Sequence, residues 1–406
     1  FRFRKAAFLN LYLKVIMAVY ALILAAGFST RMEPHFKPLL PLPLPDGERS
    51  ALAAVCSLYQ SEGVRPVIVG GSRADSTRRE AEKLGAAFTI NRHPERGMFS
   101  SIRTGMAALA QDCTHVFVHP VDIPLVRRMT IRTLLEAAES AEISDDSPLI
   151  PCYRGTAGHP PLFPAAVRNA VLNAGDDGCL RTVLDGLCPV TVPVADSFIL
   201  RDMDSPDDYR ALCALAPRQN LLSSEEAEEL LHVRHVQERG VEHCLAVGRV
   251  AAAFAAALNR ARSAEGGPLL DEDLARTGGI VHDVCKGEPH HEAAAGRLFR
   301  SRGMEPMARL VEEHRDMTIP DTAPLTEREL VFLADKFVRG HAPVPLKERF
   351  ACKMERYAEN PEAVAAIAGR MERAAAMAER LEKECGHSLE DLAREALPPS
   401  KTEAAE

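Results

Sequence analysis

Residues 19–37 read VYALILAAGFSTRMEPHFK, and this stretch decides the architecture of the N-terminal half. Val19 to Leu24 is apolar without alternation, the pattern of a strand buried on both faces of a parallel sheet. It breaks into Ala25, Ala26 and Gly27, where small residues let the backbone turn tightly and bring N–H groups close to phosphate oxygens. Arg31 and Lys37 follow, two cations suited to the charge of a leaving pyrophosphate. In open α/β sheets, ligands bind where strands end in this way, at the carboxyl edge.

Beyond Lys37, short apolar runs alternate with amphipathic stretches. The pattern predicts a helix near 50–62, a strand at 66–70, a helix near 74–84, a strand at 86–90, a helix at 99–110 and a strand at 115–119. That alternation predicts an α/β unit with a mostly parallel sheet. Its last strand opens VFVHPVDIPLV (116–126), in which Asp122 follows the buried run. A carboxylate there can hold Mg²⁺ against triphosphate oxygens, or simply cap a helix. RDMDSPDDY (201–209) offers Asp202 and Asp204 as further ligands, Asp204 being preferred, while Ser205 or Asp207 suits the cap of the next helix. Ser100, Ser101 and Arg103 open a predicted helix, where hydroxyls and amides suit a phosphate or an ordinary cap.

The chain has 406 residues, too many for one ordinary core, so two domains are expected. Hydrophobic residues at 46% and charged residues at 26% describe a chain that buries a core, which excludes general disorder. A formal charge of −8 argues against a nucleic-acid-binding surface and leaves small-molecule phosphate chemistry. The ten cysteines form no C-x-x-C pair and read as reduced thiols of a cytoplasmic protein. Phe1 to Lys5 followed by an apolar run has the look of a signal or anchor, but Asn10 and Lys14 interrupt it, and its second half is the buried strand. Residues 1–16 are therefore expected to be an upstream extension ahead of a natural start at Met17, with no membrane association.

A breaker at Ala216 to Asn220 and a helix start at Ser223 to Glu226 place the domain boundary near 217, giving units at 17–216 and 217–387. Beyond it apolar residues recur at helical spacing, so the second unit is expected to be all-α, with a polar tail over 388–406. Its polar exceptions are informative. His243 lies near a helix start, TGGIVHDVCKG (277–287) sets His282 and Asp283 in an apolar segment, and His291, His314 and Asp335 follow. A buried ionised aspartate is costly unless paired or metal-bound, and imidazole with carboxylate holds divalent transition metals or Mg²⁺. Lys286 suits a phosphate or a solvated helix end; Glu288, His290 and Glu292 read as surface residues.

Six ordered segments of the first half resemble the molybdenum cofactor cytidylyltransferases, within the wider GT-A-like (Rossmann-like) nucleotidyltransferases. They are ILAAGFSTRM with Lys37, NRHPERGMFSSIRTGMAAL (91–109), VFVHPVDIPLV, PCYRGTAGHPPLF (151–163), GDDGCLRTVL (175–184) and RDMDSPDDY. The resemblance implies transfer of CMP from CTP to a pterin-type molybdenum cofactor, destined for a molybdoenzyme, with release of pyrophosphate. It implies Leu24, Ala25, Ala26, Gly27 and Ser101 at the nucleotide, Arg31, Lys37 and Asp122 in catalysis, Asp122 and Asp204 at Mg²⁺, and Gly158 and His159 bordering the second substrate. Ala26 stands where guanylyl-transferring relatives usually carry Gly, which points to CTP. Two departures stand out: one residue more than usual between Arg31 and Lys37, and His119-Pro120-Val121 where small or apolar residues are usual.

The second half resembles the HD phosphohydrolase superfamily over about 221–385. His243, His282, Asp283 and Asp335 match its four defining ligands, and His291 and His314 match positions that complete a two-metal site in some members. The resemblance implies hydrolysis of a phosphate ester by metal-activated water at a mono- or binuclear site. Two other readings stay open: a transferase acting on a sugar or polyol phosphate, and an HD domain that regulates without catalysing.

Overall fold

Strand β1 (Val19–Ala25) is buried along its whole length, as its apolar run requires. The computed structural model describes residues 17–175, 178–318 and 323–397. The expected extension at 1–16, two aspartates of GDDG and the segment beyond 397 lie outside the described residues. The chain divides into two units, one ending at Gln219 and the other starting at Asn220.

In the first unit, the hairpin β2 (Pro41–Leu44) and β3 (Gly47–Ser50) precedes helix α1 (Ala51–Gln60), whose first turn is capped by the Ser50 hydroxyl on the Ala53 N–H. Then come β4 (Arg65–Gly70), α2 (Ala74–Lys83), β5 (Ala87–Ile90), α3 (Met98–Ala108), β6 (His115–Pro120) and α4 (Arg128–Ala138). β7 (Leu149–Tyr153), β8 (Thr156–Ala157), β9 (Leu162–Pro164), α5 (Ala165–Asn173), α6 (Leu180–Leu184), β10 (Val190–Pro193) and α7 (Pro206–Leu215) complete it. Ser205 caps α7 in a reciprocal box with Asp208, so of the two expected caps Ser205 serves.

The sheet order is β10-β7-β9-β6-β1-β4-β5, with β8 paired to β7. β1 runs parallel to β4 and β6, and β4 to β5, whereas β9 is antiparallel to both β6 and β7. The reversal has a local cause. Arg154 and Gly155 turn the chain in the left-handed region (φ 47° and 82°), and the connection from β7 to β9 is too short for a parallel crossover. Odd residues of β1 (Ala21, Ile23, Ala25) pack with Leu52, Val55 and Ile131 from α1 and α4. Even ones (Tyr20, Leu22, Leu24) pack with Ile102, Met106 and Val167 from α3 and α5. The result is a three-layer unit whose strands β1, β4 and β6 end in register, Ala25 beside Gly70 and Leu24 beside Pro120.

The second unit is built from α8 (Ser224–Val233), α9 (Glu238–Glu265), α10 (Glu272–Val281), α11 (His291–Ser301), α12 (Glu305–Val311) and α13 (Glu327–Lys336). A hairpin of β11 (Val338–Arg339) and β12 (Ala342–Pro343) turns at Gly340 (φ 61°). It is followed by α14 (Leu346–Arg356), α15 (Pro361–Cys385) and α16 (Leu389–Ala396). The unit is helical as expected, with this two-residue ladder as a small addition between α13 and α14. A departure concerns the polar tail expected from Ser388: Leu389, Leu392, Ala393 and Leu397 are buried in the main core, because three of them repeat at one helical face. α9 is long and apolar enough to cross a membrane, yet 72% of its most apolar window is buried inside the unit. α10 crosses α9 with backbone against backbone, since a Cβ on Gly279 would lie 2.7 Å from the Gly248 Cα. Glycine at both positions lets the two helices approach this closely.

Candidate functional sites

At the carboxyl edge of the first sheet, the loop after β1 doubles back through two short 3₁₀ turns, Thr30–Met32 and Lys37–Leu39. Ser29 starts this path in the left-handed region (φ 56°), and its hydroxyl accepts from the Lys37 backbone N–H at 3.3 Å. The Lys37 ammonium is thereby returned to the sheet edge, 2.6 Å from Asp204 Oδ1 and 3.4 Å from Asp122 Oδ2. Arg31 donates to the other Asp204 oxygen at 2.9 Å while its side chain stays 74% exposed. The extra residue between Arg31 and Lys37 therefore does not separate them. Two carboxylates and two cations from three distant segments form one cluster. Lys37 holds the Asp204 carboxyl below its ordinary value against the opposing effect of partial burial. Asp202 goes the other way, raised by burial and by Asp204 and Asp122.

A Cβ on Gly27 would meet nothing within 4 Å, so that residue leaves the rim open. The tight packing occurs at Gly71, where a Cβ would lie 2.5 Å from the Ala26 carbonyl oxygen and 2.7 Å from its methyl carbon. Ser72 fastens the turn, donating from its N–H to the Ala26 carbonyl (3.2 Å) and from its hydroxyl to that of Gly27 (2.8 Å). Leu24 and Ala25 are buried strand residues that can offer a nucleotide only backbone, and the Leu24 carbonyl already accepts from the Val121 N–H. Ser101, expected at the nucleotide, is 5% exposed and receives the Asn91 amide at 3.0 Å. Asn91 also donates to Ser100 (2.8 Å) and accepts from the His93 N–H (2.9 Å), ordering the start of α3.

Gly158 is required by close approach, since a Cβ would lie 2.6 Å from the Ile199 carbonyl oxygen. His159 Nδ1 is buried without a hydrogen-bond partner, and burial lowers its pKa against the raising influence of Asp122. The residue is half-buried. His119 is wholly buried in β6 between the Tyr59 hydroxyl (2.8 Å) and the Ile123 carbonyl (2.9 Å), with its pKa pushed down to about 4 by burial.

In the second unit the six expected ligands converge. His243 comes from α9, His282 and Asp283 from the end of α10, His291 from the start of α11, His314 from the turn after α12 and Asp335 from α13. His243, His282 and Asp283 can present three ligand atoms within 4.8 Å of one another, and so can Asp283, His291 and His314. Asp283 belongs to both groups. One of its oxygens lies 3.5 Å from His282 Nε2, the other 3.2 Å from His291 Nε2 and 3.6 Å from His314 Nε2. Asp335 Oδ1 lies 3.3 Å from His243 Nε2 and 3.8 Å from His282 Nε2.

The chemistry of this donor set fits a metal. His243, His282 and His314 each aim Nδ1 at a backbone carbonyl, of Gly340 (2.9 Å), Gly279 (2.7 Å) and Val311 (2.6 Å). A carbonyl only accepts, so Nδ1 carries a proton, and in the neutral ring Nε2 turns a lone pair inward. His282 Nε2 is buried with no hydrogen-bond partner, and burial pushes its pKa down to about 4, which keeps the ring neutral. Burial acts to raise the carboxyls of Asp283 and Asp335, but the polar and charged groups packed around them, Lys286 and Lys336 included, outweigh it and hold both well below the carboxylate range. Lys336 donates to Asp335 (2.7 Å) and to the His314 carbonyl (2.9 Å), and Lys286 is paired with Asp283. Glu292, expected at the surface, turns Oε2 into a buried position 3.3 Å from His291 Nδ1.

Residues 21–191 match the family described as the MobA-like NTP transferase domain, and residues 240–340 match the HD domain family. The chain joins a MobA-like NTP transferase domain to an HD domain. No functionally curated protein matched it in a sequence comparison. Among solved structures, a protein from Mycobacterium tuberculosis is 24% identical, with a TM-score of 0.41, over 49% of this chain and 98% of the other. A nucleotidyl transferase from Methanothermobacter is 21% identical, with a TM-score of 0.42, over 50% of this chain and 98% of its own. A cytidylyltransferase from Leptospira borgpetersenii is 17% identical, with a TM-score of 0.39, over 52% of this chain and 90% of its own. The transferase domain thus contains the Lys37 cluster up to Asp122, with Asp204 contributed from beyond the matched segment. The HD domain contains all six converging ligands.

Proposed function

We propose that the transferase domain moves CMP from CTP to the terminal phosphate of a pterin-type molybdenum cofactor, and that the HD domain hydrolyses a phosphate ester, the two activities dividing near residue 217. The observation that supports the first reading is the Lys37 ammonium lying between Asp122 and Asp204 at the end of three aligned strands. A triphosphate arriving there offers Lys37 and Arg31 phosphate oxygens in exchange for their carboxylates, and frees Asp122 and Asp204 to hold Mg²⁺. Bound Mg²⁺ neutralises triphosphate charge. An acceptor phosphate oxygen bonds to the α-phosphorus while the α–β bridge breaks and its electron pair leaves on pyrophosphate. Arg31, Lys37 and the amides after Ala26 counter that growing charge, and preorganised charge of this sort is the main resource in phosphoryl-type transfer. Gly158 and His159 border the acceptor.

The HD reading is supported by the three inward-facing Nε2 atoms and the shared Asp283 carboxylate. A divalent ion held there lowers the pKa of water and accepts phosphoryl charge.

Pyrophosphate release by the full chain with Mg²⁺, the pterin cofactor and each nucleotide in turn tests the first reading. CTP should support turnover, and Lys37→Ala should lower it by about a hundredfold, the scale of one lost charge-stabilising group. Release with a sugar or polyol phosphate but not with the pterin would replace the acceptor. For the second, a phosphomonoester and phosphodiester panel is run beside metal analysis on wild type, His282→Ala and Asp283→Ala. Bound metal with no hydrolysis of any ester would leave a regulatory module.

A further inference from the structure

A cavity of about 390 Å³ opens onto Asp283, His291, His314 and Asp335, the side of the ligand cluster reached by the second triad. Its wall is strongly basic in a chain whose formal charge is −8. Lys336 and Arg349 sit at its base and are partly neutralised by Asp335, at 2.7 and 3.5 Å. Farther out stand Lys353 and Arg356 on α14 and Arg370 on α15. Among the described residues none of these three has a carboxylate partner within ion-pair distance. They also lie beyond the segment that matches the HD family. Arg349 Nε is buried with no hydrogen-bond partner. Burial pushes the Lys353 ammonium down to about 8, and Arg349, Lys336 and Arg370 add to this against the pull of Asp335. Positive charge here is crowded and undercompensated, the condition that an anionic ligand relieves. A second cavity of about 640 Å³ reaches His243 and Asp283, but its Arg234 is satisfied by Glu288 at 2.8 Å.

We propose that the HD site takes a multiply phosphorylated small molecule, with one phosphate at the ligand cluster and at least one further phosphate on Lys353, Arg356 and Arg370. Phe350, Ile367 and the half-exposed ring of Tyr357 line the same cavity and give the remainder of the molecule an apolar surface. In the reaction a water oxygen bonds to the phosphorus at the cluster and the bond to the ester or anhydride oxygen breaks. That oxygen takes up a proton from the water. This inference names the substrate of the hydrolase reading above and rests on it.

The test uses the full chain loaded with Mn²⁺, in a Lys37→Ala background that weakens triphosphate binding in the transferase domain. Hydrolysis and equilibrium binding are measured for a nucleoside triphosphate, the matching monophosphate and p-nitrophenyl phosphate, with and without Arg356→Gln and Arg370→Gln together. The wild-type wall should favour the triphosphate over p-nitrophenyl phosphate in kcat/KM by at least a hundredfold. The double substitution should cut that ratio at least tenfold, mainly through KM, with triphosphate binding weakened in parallel and losing part of its salt dependence. No preference for the triphosphate, or an equal effect on all three compounds, overturns the proposal. If no compound is cleaved, the hydrolase reading fails, and the binding arm still decides. Triphosphate affinity that drops on the double substitution supports the anion wall, and unchanged affinity refutes it.

Discussion

Replacing Gly279 with alanine should loosen the HD domain and its ligand cluster together. The added Cβ would lie 2.7 Å from the Gly248 Cα, 2.8 Å from its nitrogen and 2.9 Å from the Val247 carbonyl carbon. That is about 0.7 Å short of ordinary contact, and every atom it meets is backbone, so no side-chain rotation relieves the clash. α9 and α10 must move apart, and overpacking of this kind costs about 1–3 kcal/mol. For a unit of this size each kcal/mol lowers Tm by about 2–4 °C, so a drop of roughly 2–12 °C is expected. The same movement separates His243 from His282, whose rings now sit 5.3 Å apart between centroids. Metal ligation tolerates only a few tenths of an ångström, so the bound metal per chain should fall as well. Differential scanning calorimetry and elemental analysis of the purified full chain read both effects. Gly369→Ala is the matched control: it lies within α15, and its added Cβ would meet only the end of Arg373 at 3.4 Å. It should stabilise by about 0.5–1 kcal/mol through helix propensity. Were Gly279→Ala to melt within a degree of wild type with full metal content, the close helix crossing would not be what sets the cluster.

In the transferase domain, Asp196 accepts from Arg127 Nη1 and the Arg127 N–H (both 2.9 Å), Thr130 (2.7 Å) and the Phe198 N–H (3.1 Å) while fully buried. Asp196→Ala strands a buried guanidinium and should cost about 3–5 kcal/mol in urea unfolding; a loss under 1 kcal/mol contradicts this. His119 has a native pKa of about 4 against an ordinary value of 6.5, so the unfolded chain takes up its proton first as pH falls. Its contribution is complete above pH 6.5 and declines by about 3 kcal/mol as pH approaches 4. Urea midpoints at pH 7 and 5 should therefore differ less for His119→Gln than for wild type, and an equal difference would count against the buried neutral ring. Chelation should lower the melting temperature of the HD domain by an amount equivalent to about 2.7 kcal/mol if metal had been present at a hundred times its Kd. His282→Ala protein should show little response to the same treatment, read by calorimetry.

The strands and the ordered motifs were visible in the sequence because each is a local pattern. β1 is apolar throughout since both its faces are covered, and His282-Asp283 stands out as polar in an apolar run. What was not visible depends on partners far along the chain. Gly71 looks like any loop glycine until Ala26 is found against it, and Asn91 is one polar residue among many until Ser100 and Ser101 face it. Glu292 next to His291 reads as a surface carboxylate, and only the folded turn shows its oxygen enclosed. The last helix hides its burial for a different reason. Its apolar residues at 389, 392 and 393 carry a helical signal that the interleaved charges of Glu390, Asp391, Arg394 and Glu395 mask.

Gly279, Val311 and Gly340 orient the three imidazoles through their carbonyl oxygens alone. A carbonyl belongs to every residue, so no side-chain replacement at these positions deletes the acceptor. Amino-acid drift can therefore leave the tautomers untouched for as long as the main-chain path survives. The exposure of the cluster to mutation shifts from chemical identity to shape: insertions, prolines and altered turn angles near Gly340 or Val311 are the lesions that would rotate a ring away. A library of single substitutions across these segments should accordingly separate by backbone geometry rather than by polarity.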